Sequence, residues 1–277
     1  MERAGRERHP VIEHRAGPPF TTTLTTHIKI MREFRSWESY EVFVRIVTRE
    51  ARYILDGEVK EFLEVVLATC PPRILSVPLG TTYWRAQLGH AWGKALPPYE
   101  KLDARVPFPP ARMIPLPNVA NEGRVNPRGI SCLYLATDME TSISEVRPWV
   151  GKFVSTARFK TTKPLTLIDC SVAYSDDYVV YFDEPGPPER EQAVWQDIDR
   201  AFSQPVNPDD STAEYVPTQI LAELFRKNGL DGVMYKSCLG PGSNIALFDV
   251  STANLVDRSL YSVDDVKFSF TESGKPI

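Results

Sequence analysis

Apolar residues at helical spacing mark the first part of the chain. The first set recurs every three or four residues: Tyr40, Phe43, Val44, Val47 and Ala51. A second set continues until Pro71-Pro72, where proline ends a helix: Phe62, Leu63, Val65, Val66 and Leu67. The pattern predicts a helical hairpin over 34–75, with a structural or partner-facing role. Residues 1–33 lack apolar periodicity, and we expect a loose tail or an alternative start at Met31.

Short runs of β-branched and aromatic residues between turn residues predict that strands dominate the remainder. These runs lie at 81–87, 130–136, 153–159, 165–168, 232–236 and 245–248. Helical patterns lie at 137–148 and near 194–202 and 217–228. Seven prolines between 97 and 117 predict a long ordered loop. Short strands interrupted by a few helices predict an α+β fold for 76–277, with a small mixed or antiparallel β core and flanking helices.

A loop, a strand and a helix follow one another between 123 and 148. The loop reads Gly-Arg-Val-Asn-Pro-Arg-Gly over 123–129, and the apolar run 130–136 comes directly after it. Thr137 and Glu140 have the spacing of a capping box, in which each side chain binds a free amide at a helix start. Pro148 is expected to end this helix.

Glu145 lies on this predicted helix. Met139, Ile143 and Val146 share one face, whereas Ser142 and Glu145 share another. We therefore expect Glu145 to lie outside the core. A carboxylate on a rigid helix near a strand end can carry chemistry, or it can simply be solvated.

Arg85 lies in a predicted half-buried strand beside the large side chains Tyr83 and Trp84. A desolvated guanidinium is costly unless it pairs with a carboxylate or binds an anionic ligand. The sequence leaves both alternatives open.

Composition narrows the class of protein. The chain has 277 residues, 42% of them hydrophobic, which is enough for a sizeable core. It contains no apolar run long enough for a membrane span, and its N-terminus lacks the apolar segment of a secretion signal. A cytoplasmic location is therefore expected. The net charge of −4 and the lack of Lys/Arg runs disfavour nucleic-acid binding.

Few residues suit metal binding or triad chemistry. The four cysteines are isolated and lie in or beside apolar runs, so we expect buried thiols and no zinc site. Three of the four histidines fall in the N-terminal tail. The Gly/Ser-rich segment 237–244 lacks the Lys-Ser/Thr ending of a P-loop and leads into a strand, which predicts a hairpin connection.

Taken together, the order of these motifs resembles the RES domain family. The pattern consists of a strand arginine, Gly-Arg-x-Asn-Pro-x-Gly with Leu-Tyr-Leu-Ala, Glu-Thr-x-x-x-Glu-Val, and Asp-Gly-x-x-Tyr-x-Ser with Asn-x-x-Leu-Phe. The resemblance covers about residues 78–250. It implies a fold related to mono-ADP-ribosyltransferases and an activity that breaks the nicotinamide–ribose bond of NAD. It also implies a toxin–antitoxin pair in which the partner is an Xre-like helix-turn-helix protein.

The resemblance assigns roles to particular residues. Arg85, Glu145 and Ser237 are expected to be catalytic, with Ser243 in the same loop as an alternative to Ser237. Arg85 is also expected to bind the dinucleotide, together with Arg124, Asn126 and Tyr134, and no metal is expected.

These residue types suit NAD cleavage. NAD carries a cationic leaving group, so an enzyme needs to hold the diphosphate and stabilise an oxocarbenium-like transition state. Two alternatives to cleavage by water or phosphate remain: transfer of ADP-ribose to a protein, and a non-catalytic module that only binds a partner.

Overall fold

The structure is a computed structural model that describes residues 33–94, 102–116, 120–175, 180–204, 212–267, 269–270 and 272. Its helices are α1 Ser39–Arg49, α2 Gly57–Thr69, α3 Pro110–Met113, α4 Met139–Glu145, α5 Pro187–Ser203 and α6 Val216–Lys227. Its strands are β1 Ile74–Val77, β2 Thr82–Leu88, β3 Ala91–Lys94, β4 Asp103–Val106, β5 Leu133–Ala136, β6 Phe153–Thr161, β7 Leu165–Cys170, β8 Gly232–Lys236, β9 Ser243–Leu247 and β10 Ala253–Ser262.

Eight of the described strands form one sheet, in the order β1-β7-β8-β9-β5-β2-β6-β10. Neighbouring strands run antiparallel, except for the parallel pair β7 and β8. The chain between these two strands contains α5 and α6, because a parallel pair requires a long crossover connection. The predicted α+β class is therefore confirmed, although the sheet is larger than the small β core that the sequence predicted.

The two faces of the sheet carry different cores. Along β7, Ile168 and Cys170 face a cluster that includes α1, α2, α5 and α6, whereas Leu165 and Leu167 belong to a second cluster. This alternation follows from the two-residue period of a strand. Helices therefore cover one face, and on the other face side chains from the strands of the sheet itself cluster with Met113 of the short helix α3.

The predicted helical hairpin is present as α1 and α2. Phe43 and Phe62 stack between the two helices, with ring centroids 4.7 Å apart. Both helices belong to the same core cluster as α5 and α6. The division into a helical extension (34–75) and a catalytic domain (76–277) stays a prediction, and the proposed tail at 1–33 lies almost entirely outside the described residues.

The proline-rich segment is more regular than predicted. The expected long loop at 97–117 contains β4, which pairs with β3 in a separate two-stranded sheet, and the helical turn α3. Pro110 occupies the first turn of α3, where its missing amide costs nothing. Residues 95–101 and 117 lie outside the described residues.

The structure also bears on the expected burial of the cysteines and on the expected lack of a membrane span. Cys70, Cys132 and Cys170 are buried as predicted, but Cys238 is exposed. None of the helices in the described part of the chain has the length and apolar content needed to cross a bilayer.

Candidate active site

A cleft opens where β2 and β5 separate. β2 pairs with β6 from Thr82 to Leu88, but it pairs with β5 only between Trp84 and Ala136. Such a gap leaves room and unpaired backbone groups between two strands that would otherwise satisfy each other. A cavity of about 240 Å³ lies there, bounded by β2, β5 and α4.

Arg85 reaches across this gap from β2. Its Nη1 donates to the carbonyl oxygen of Tyr134 at 2.9 Å. Its Nε is buried and has no hydrogen-bond partner in the described residues. Burial lowers the pKa of the guanidinium, and the Tyr134 side chain only partly opposes this shift. No described carboxylate pairs with Arg85, so the geometry favours the second sequence-based alternative, an anionic ligand.

Tyr134 forms the wall between the gap and the motif loop. Its hydroxyl donates to Asn126 Oδ1 at 2.7 Å and accepts from the Val125 amide at 3.0 Å. Burial raises the pKa of this hydroxyl well above its ordinary value, so it stays protonated. The ring is thereby fixed in orientation while its face lines the cleft.

Asn126 organises the loop 123–129 and is itself buried. Its amide nitrogen donates to three carbonyl oxygens, those of Asn121, Pro127 and Ile130. A Cβ atom at Gly123 would lie 2.8 Å from the Tyr134 hydroxyl, which explains the glycine at this position. Asn126 therefore supports Tyr134, and it also lines a larger cavity of about 700 Å³ next to Arg85.

Arg124 turns away from Asn126 towards the end of α5. Its Nη1 donates to the Ala201 carbonyl at 2.7 Å, and its Nη2 donates to the Gln204 carbonyl. These carbonyls lie at the negative end of the helix dipole, so the contact stabilises α5. Arg124 nevertheless lines a third cavity together with Glu145.

Helix α4 carries Glu145 and begins differently from the prediction. Asp138, not Thr137, is the N-cap, and its side chain accepts from the Thr141 amide at 2.7 Å. Ser142, which shares a helix face with Glu145, differs from it in exposure. This residue is buried because its hydroxyl donates to the Met139 carbonyl at 2.7 Å and needs no water. Glu145 is exposed, as expected.

Two buried side chains hold the Glu145 carboxylate. Ser237 Oγ donates to Glu145 Oε1 at 2.7 Å, and Asn244 Nδ2 donates to the same oxygen at 2.6 Å. The other oxygen, Oε2, has no hydrogen-bond partner among the described residues. One oxygen is thus fixed by the protein, and the other can accept from a ligand.

Ser237, and not Ser243, contacts the carboxylate. The Ser237 hydroxyl also accepts from the Leu239 and Gly240 amides, at 3.2 and 3.0 Å, so it shapes the loop between β8 and β9. Ser243 instead contacts Thr137: the Ser243 carbonyl accepts from the Thr137 amide at 2.9 Å, and the Ser243 amide donates to Thr137 Oγ1 at 3.0 Å. The predicted hairpin connection at 237–244 is confirmed.

Asn244 was not identified as a site residue from the sequence, although it begins the Asn-x-x-Leu-Phe motif. On β9 it lies between Ala136 of β5 and Tyr235 of β8 in the sheet register. That register brings its amide to Glu145, which is far away in sequence. An asparagine inside an apolar strand was the available signal, because buried amides require a partner.

The loop and α4 are also joined by close packing. Gly242 donates its amide to Thr141 Oγ1 at 2.9 Å, and a Cβ atom at Gly242 would lie 1.9 Å from the Asp138 carboxylate. Only glycine fits at this contact. The loop that supplies Ser237 is therefore fixed against the helix that supplies Glu145.

The three cavities share walls. Arg85 and Tyr134 separate the cavities of about 700 and 240 Å³, and Glu145, Tyr235 and Asn244 separate the latter from a third of about 270 Å³. The combined cleft offers guanidinium donors, an aromatic face and one oriented carboxylate. Such a set can bind an extended anionic ligand and stabilise positive charge developing beside Glu145.

Comparisons with known proteins place the chain in a family. No curated protein matches it. A chain of the MbcT-MbcA toxin-antitoxin complex from M. tuberculosis matches 76% of this chain and 94% of its own length, with 14% identity and a TM-score of 0.39. The model of the RES domain matches residues 83–271, and these residues include every site residue discussed above. Because this match spans more than half of the chain, the protein belongs to the RES domain family.

Proposed function

We propose that this RES-domain protein is an enzyme that consumes NAD by breaking its nicotinamide–ribose bond, with water or phosphate as the acceptor. One observation carries the proposal. The exposed carboxylate of Glu145 is oriented by Ser237 and Asn244 in the same cleft as Arg85, whose buried Nε lacks a partner. The motif resemblance supplies the identity of the substrate.

Glu145 is suited to the sugar. Its Oε1 is held by two donors, so Oε2 can accept from a ribose hydroxyl while the negative charge faces the anomeric carbon. When the C–N bond breaks, its electron pair leaves with nicotinamide, which departs as a neutral molecule. The positive charge that remains on the ribose is stabilised by a preoriented carboxylate. The acceptor oxygen then bonds to the anomeric carbon and loses a proton.

Arg85 and Tyr134 are suited to binding and orientation. The planar guanidinium of Arg85 has unused donors that match a phosphate oxygen. Tyr134 presents a ring face, fixed through Asn126 and Val125, on which a nicotinamide ring can stack. Ser237 and Asn244 act through Glu145 and are positioning residues.

The proposal extends to a toxin restrained by an antitoxin. A cytoplasmic enzyme that destroys NAD must be inhibited until needed, and the family resemblance supports an Xre-like partner. An acidic group or chain terminus of that partner could be bound at the cleft by Arg85 and Arg124. We expect the co-purified pair to show no NAD turnover; a stable complex with full turnover would exclude inhibition by occlusion.

Purified protein and two glutamate variants provide the direct test. Glu145→Gln keeps an oxygen that can accept from Ser237 and Asn244 but removes the charge. We expect nicotinamide release to fall on the order of 100-fold, with unfolding free energy changed by less than about 0.5 kcal/mol. Glu140→Gln is the matched control, because Glu140 is an exposed glutamate on the same helix, and its turnover should equal that of the parent.

The products distinguish the alternatives. Free ADP-ribose indicates hydrolysis, a phosphorylated product indicates phosphate as the acceptor, and labelled protein indicates ADP-ribosyl transfer. A folded parent protein without NAD turnover, or Glu145→Gln with full turnover, contradicts the proposed role of Glu145. The first result would favour a non-catalytic partner-binding module.

A further inference from the structure

The cavity on the far side of Glu145 has an unusual lining, and we call it the arginine pocket. It encloses about 270 Å³ and is lined by Arg124, Arg147, Ser203, Tyr215 and Tyr235, with Glu145 and Asn244 as the wall towards the cleft. The motif resemblance assigns Arg124 to the dinucleotide, but it assigns no role to Arg147 or Ser203.

Arg147 adopts a strained conformation. Its φ of 46° lies in the left-handed region. Every other positive φ in the described part of the chain belongs to a glycine. This region is unfavourable for a residue with a side chain, and Pro148 further restricts the conformations of the residue before it. The described residues provide no hydrogen bond or ion pair for its guanidinium. The left-handed conformation ends α4, where the Arg147 amide donates to the Ser144 carbonyl at 3.0 Å, and it leaves the exposed guanidinium free to bind a ligand.

Ser203 provides a second, independent observation. It is the last residue of α5 and is only 6% exposed, yet its Oγ has no hydrogen-bond partner within the described chain. A buried hydroxyl without a partner keeps the cost of its lost hydration, which a bound acceptor can offset. Ser203 is one of the residues that line the arginine pocket, together with Arg124 and Arg147.

The charges of the pocket favour an anion. Arg124 and Arg147 are cationic, and Arg124 already neutralises the carbonyl ends of α5 through Ala201 and Gln204. Glu145 opposes an anion, but its Oε1 is held by Ser237 and Asn244 on the wall towards the cleft. Two forked cations and a hydroxyl suit phosphoryl oxygens.

We propose that Arg147 and Ser203, together with Arg124, bind a phosphoryl group of the dinucleotide in the arginine pocket. This inference rests on the proposed function, since the dinucleotide extends beyond the scissile bond at Glu145. Arg147 is then a residue that determines affinity for substrates that carry phosphate, and its strain is offset by the bound ligand.

Arg147→Gly separates ligand binding from fold support. Glycine adopts the left-handed region without strain, so the variant should melt at the parental temperature or above it. Its KM for NAD should rise about tenfold, as expected for the loss of a charged hydrogen bond worth roughly 1.4 kcal/mol. Nicotinamide riboside has the scissile bond but no phosphate, so its cleavage should be unchanged.

Further variants refine the test. Arg147→Lys should restore part of the affinity, because it keeps the charge without the fork, and Ser203→Ala should raise the KM for NAD to a smaller extent. Arg52→Gln is the charge control, because Arg52 is exposed in the hairpin loop. Equal losses for NAD and nicotinamide riboside, or no loss for either, would overturn the assignment. A loss seen only with inorganic phosphate in the buffer would assign the pocket to free phosphate instead.

A direct binding measurement keeps the inference separate from the proposed function. If the parent protein does not cleave NAD, the proposed function fails, and calorimetry with inorganic pyrophosphate then tests the pocket alone. Tighter binding by the parent than by Arg147→Gly supports the subsite. Equal binding by the two proteins overturns it.

Discussion

Arg73 and Arg85 show two different ways in which this protein removes an arginine from water. Arg73 is buried, donates through Nη1 to both carboxylate oxygens of Asp199 at 2.9 and 3.0 Å, and lies 4.1 Å from the ring centroid of Trp195. Among the described residues, Arg85 has the Tyr134 carbonyl as its hydrogen-bond partner, and its buried Nε has none. The first arginine joins the chain before β1 to α5, whereas the second lies beside an open cleft.

The difference separates structural charge from functional charge. A buried ion pair whose donors and acceptors are satisfied is complete without a ligand. A buried guanidinium with an unused donor keeps a desolvation cost that a bound anion can offset. Arg73→Met should therefore lower stability, whereas Arg85→Met should lower activity and leave stability nearly unchanged.

The largest effect is expected for Arg73→Met. Methionine keeps most of the stem that packs on Trp195, but the buried Asp199 loses its partner, and at neutral pH it must then either stay charged without a partner or take up a proton. We expect unfolding free energy to fall by about 3–5 kcal/mol, measured by chemical denaturation. Asp103→Asn breaks the exposed pair of Lys94 and Asp103 and is the control; it should change stability by less than about 1 kcal/mol. If Arg73→Met lowered the unfolding free energy as little as the control, the buried Asp199 would not need Arg73 for stability.

The sequence predicted those parts of the fold in which local pattern and burial agree. The helices of the hairpin and strands such as β6 and β8 carry clear apolar patterns. β10 was missed because it is an edge strand whose side chains are mostly exposed, with a bulge between Leu255 and Asp257. Its ladder with β6 stabilises it, and that contact is not visible in a local pattern.

From the sequence, the site could be predicted only where a single residue or a motif stood out from its neighbours. Arg85 was identifiable as a charge in a half-buried strand, whereas Glu145 and Ser237 received their roles from the motifs. For Asn244 the only local signal was an asparagine in an apolar strand, because its partner depends on the sheet register, and Arg147 depends on a backbone conformation that has no local signal.

Arg85→Met is expected to weaken NAD binding and to change stability little, whereas Arg73→Met lowers stability. The substitution removes a desolvated charge but leaves the Tyr134 carbonyl without its donor, so stability should change by no more than about 1 kcal/mol. Affinity for NAD should fall about tenfold or more, corresponding to roughly 1.4 kcal/mol, measured as KM for nicotinamide release. A loss of stability comparable to that of Arg73→Met, with unchanged KM, would make Arg85 a structural residue.

The last prediction concerns how these stability changes depend on pH, unit by unit. Burial raises the pKa of Asp199 to about 6, because its loss of hydration outweighs the attraction of Arg73. The unfolded chain has a carboxyl pKa near ~3.9. The folded state therefore binds the proton more tightly, and the stability that this binding contributes is present below about pH 4 and lost as pH rises through about 6.

Arg73→Met removes an attraction that lowers the Asp199 pKa, so that pKa should rise further in the variant. At pH 5 the carboxyl is mostly protonated in both folded proteins, and the penalty reduces to lost packing and hydrogen bonds. Above pH 6 the parent releases the proton and the variant retains it, so the penalty should grow by about 1 kcal/mol per pH unit. Denaturation of both proteins between pH 5 and 8 measures this slope. Arg85→Met has no carboxylate partner and should show a flat difference from the parent; a flat difference for Arg73→Met as well would show that its effect is packing and not charge.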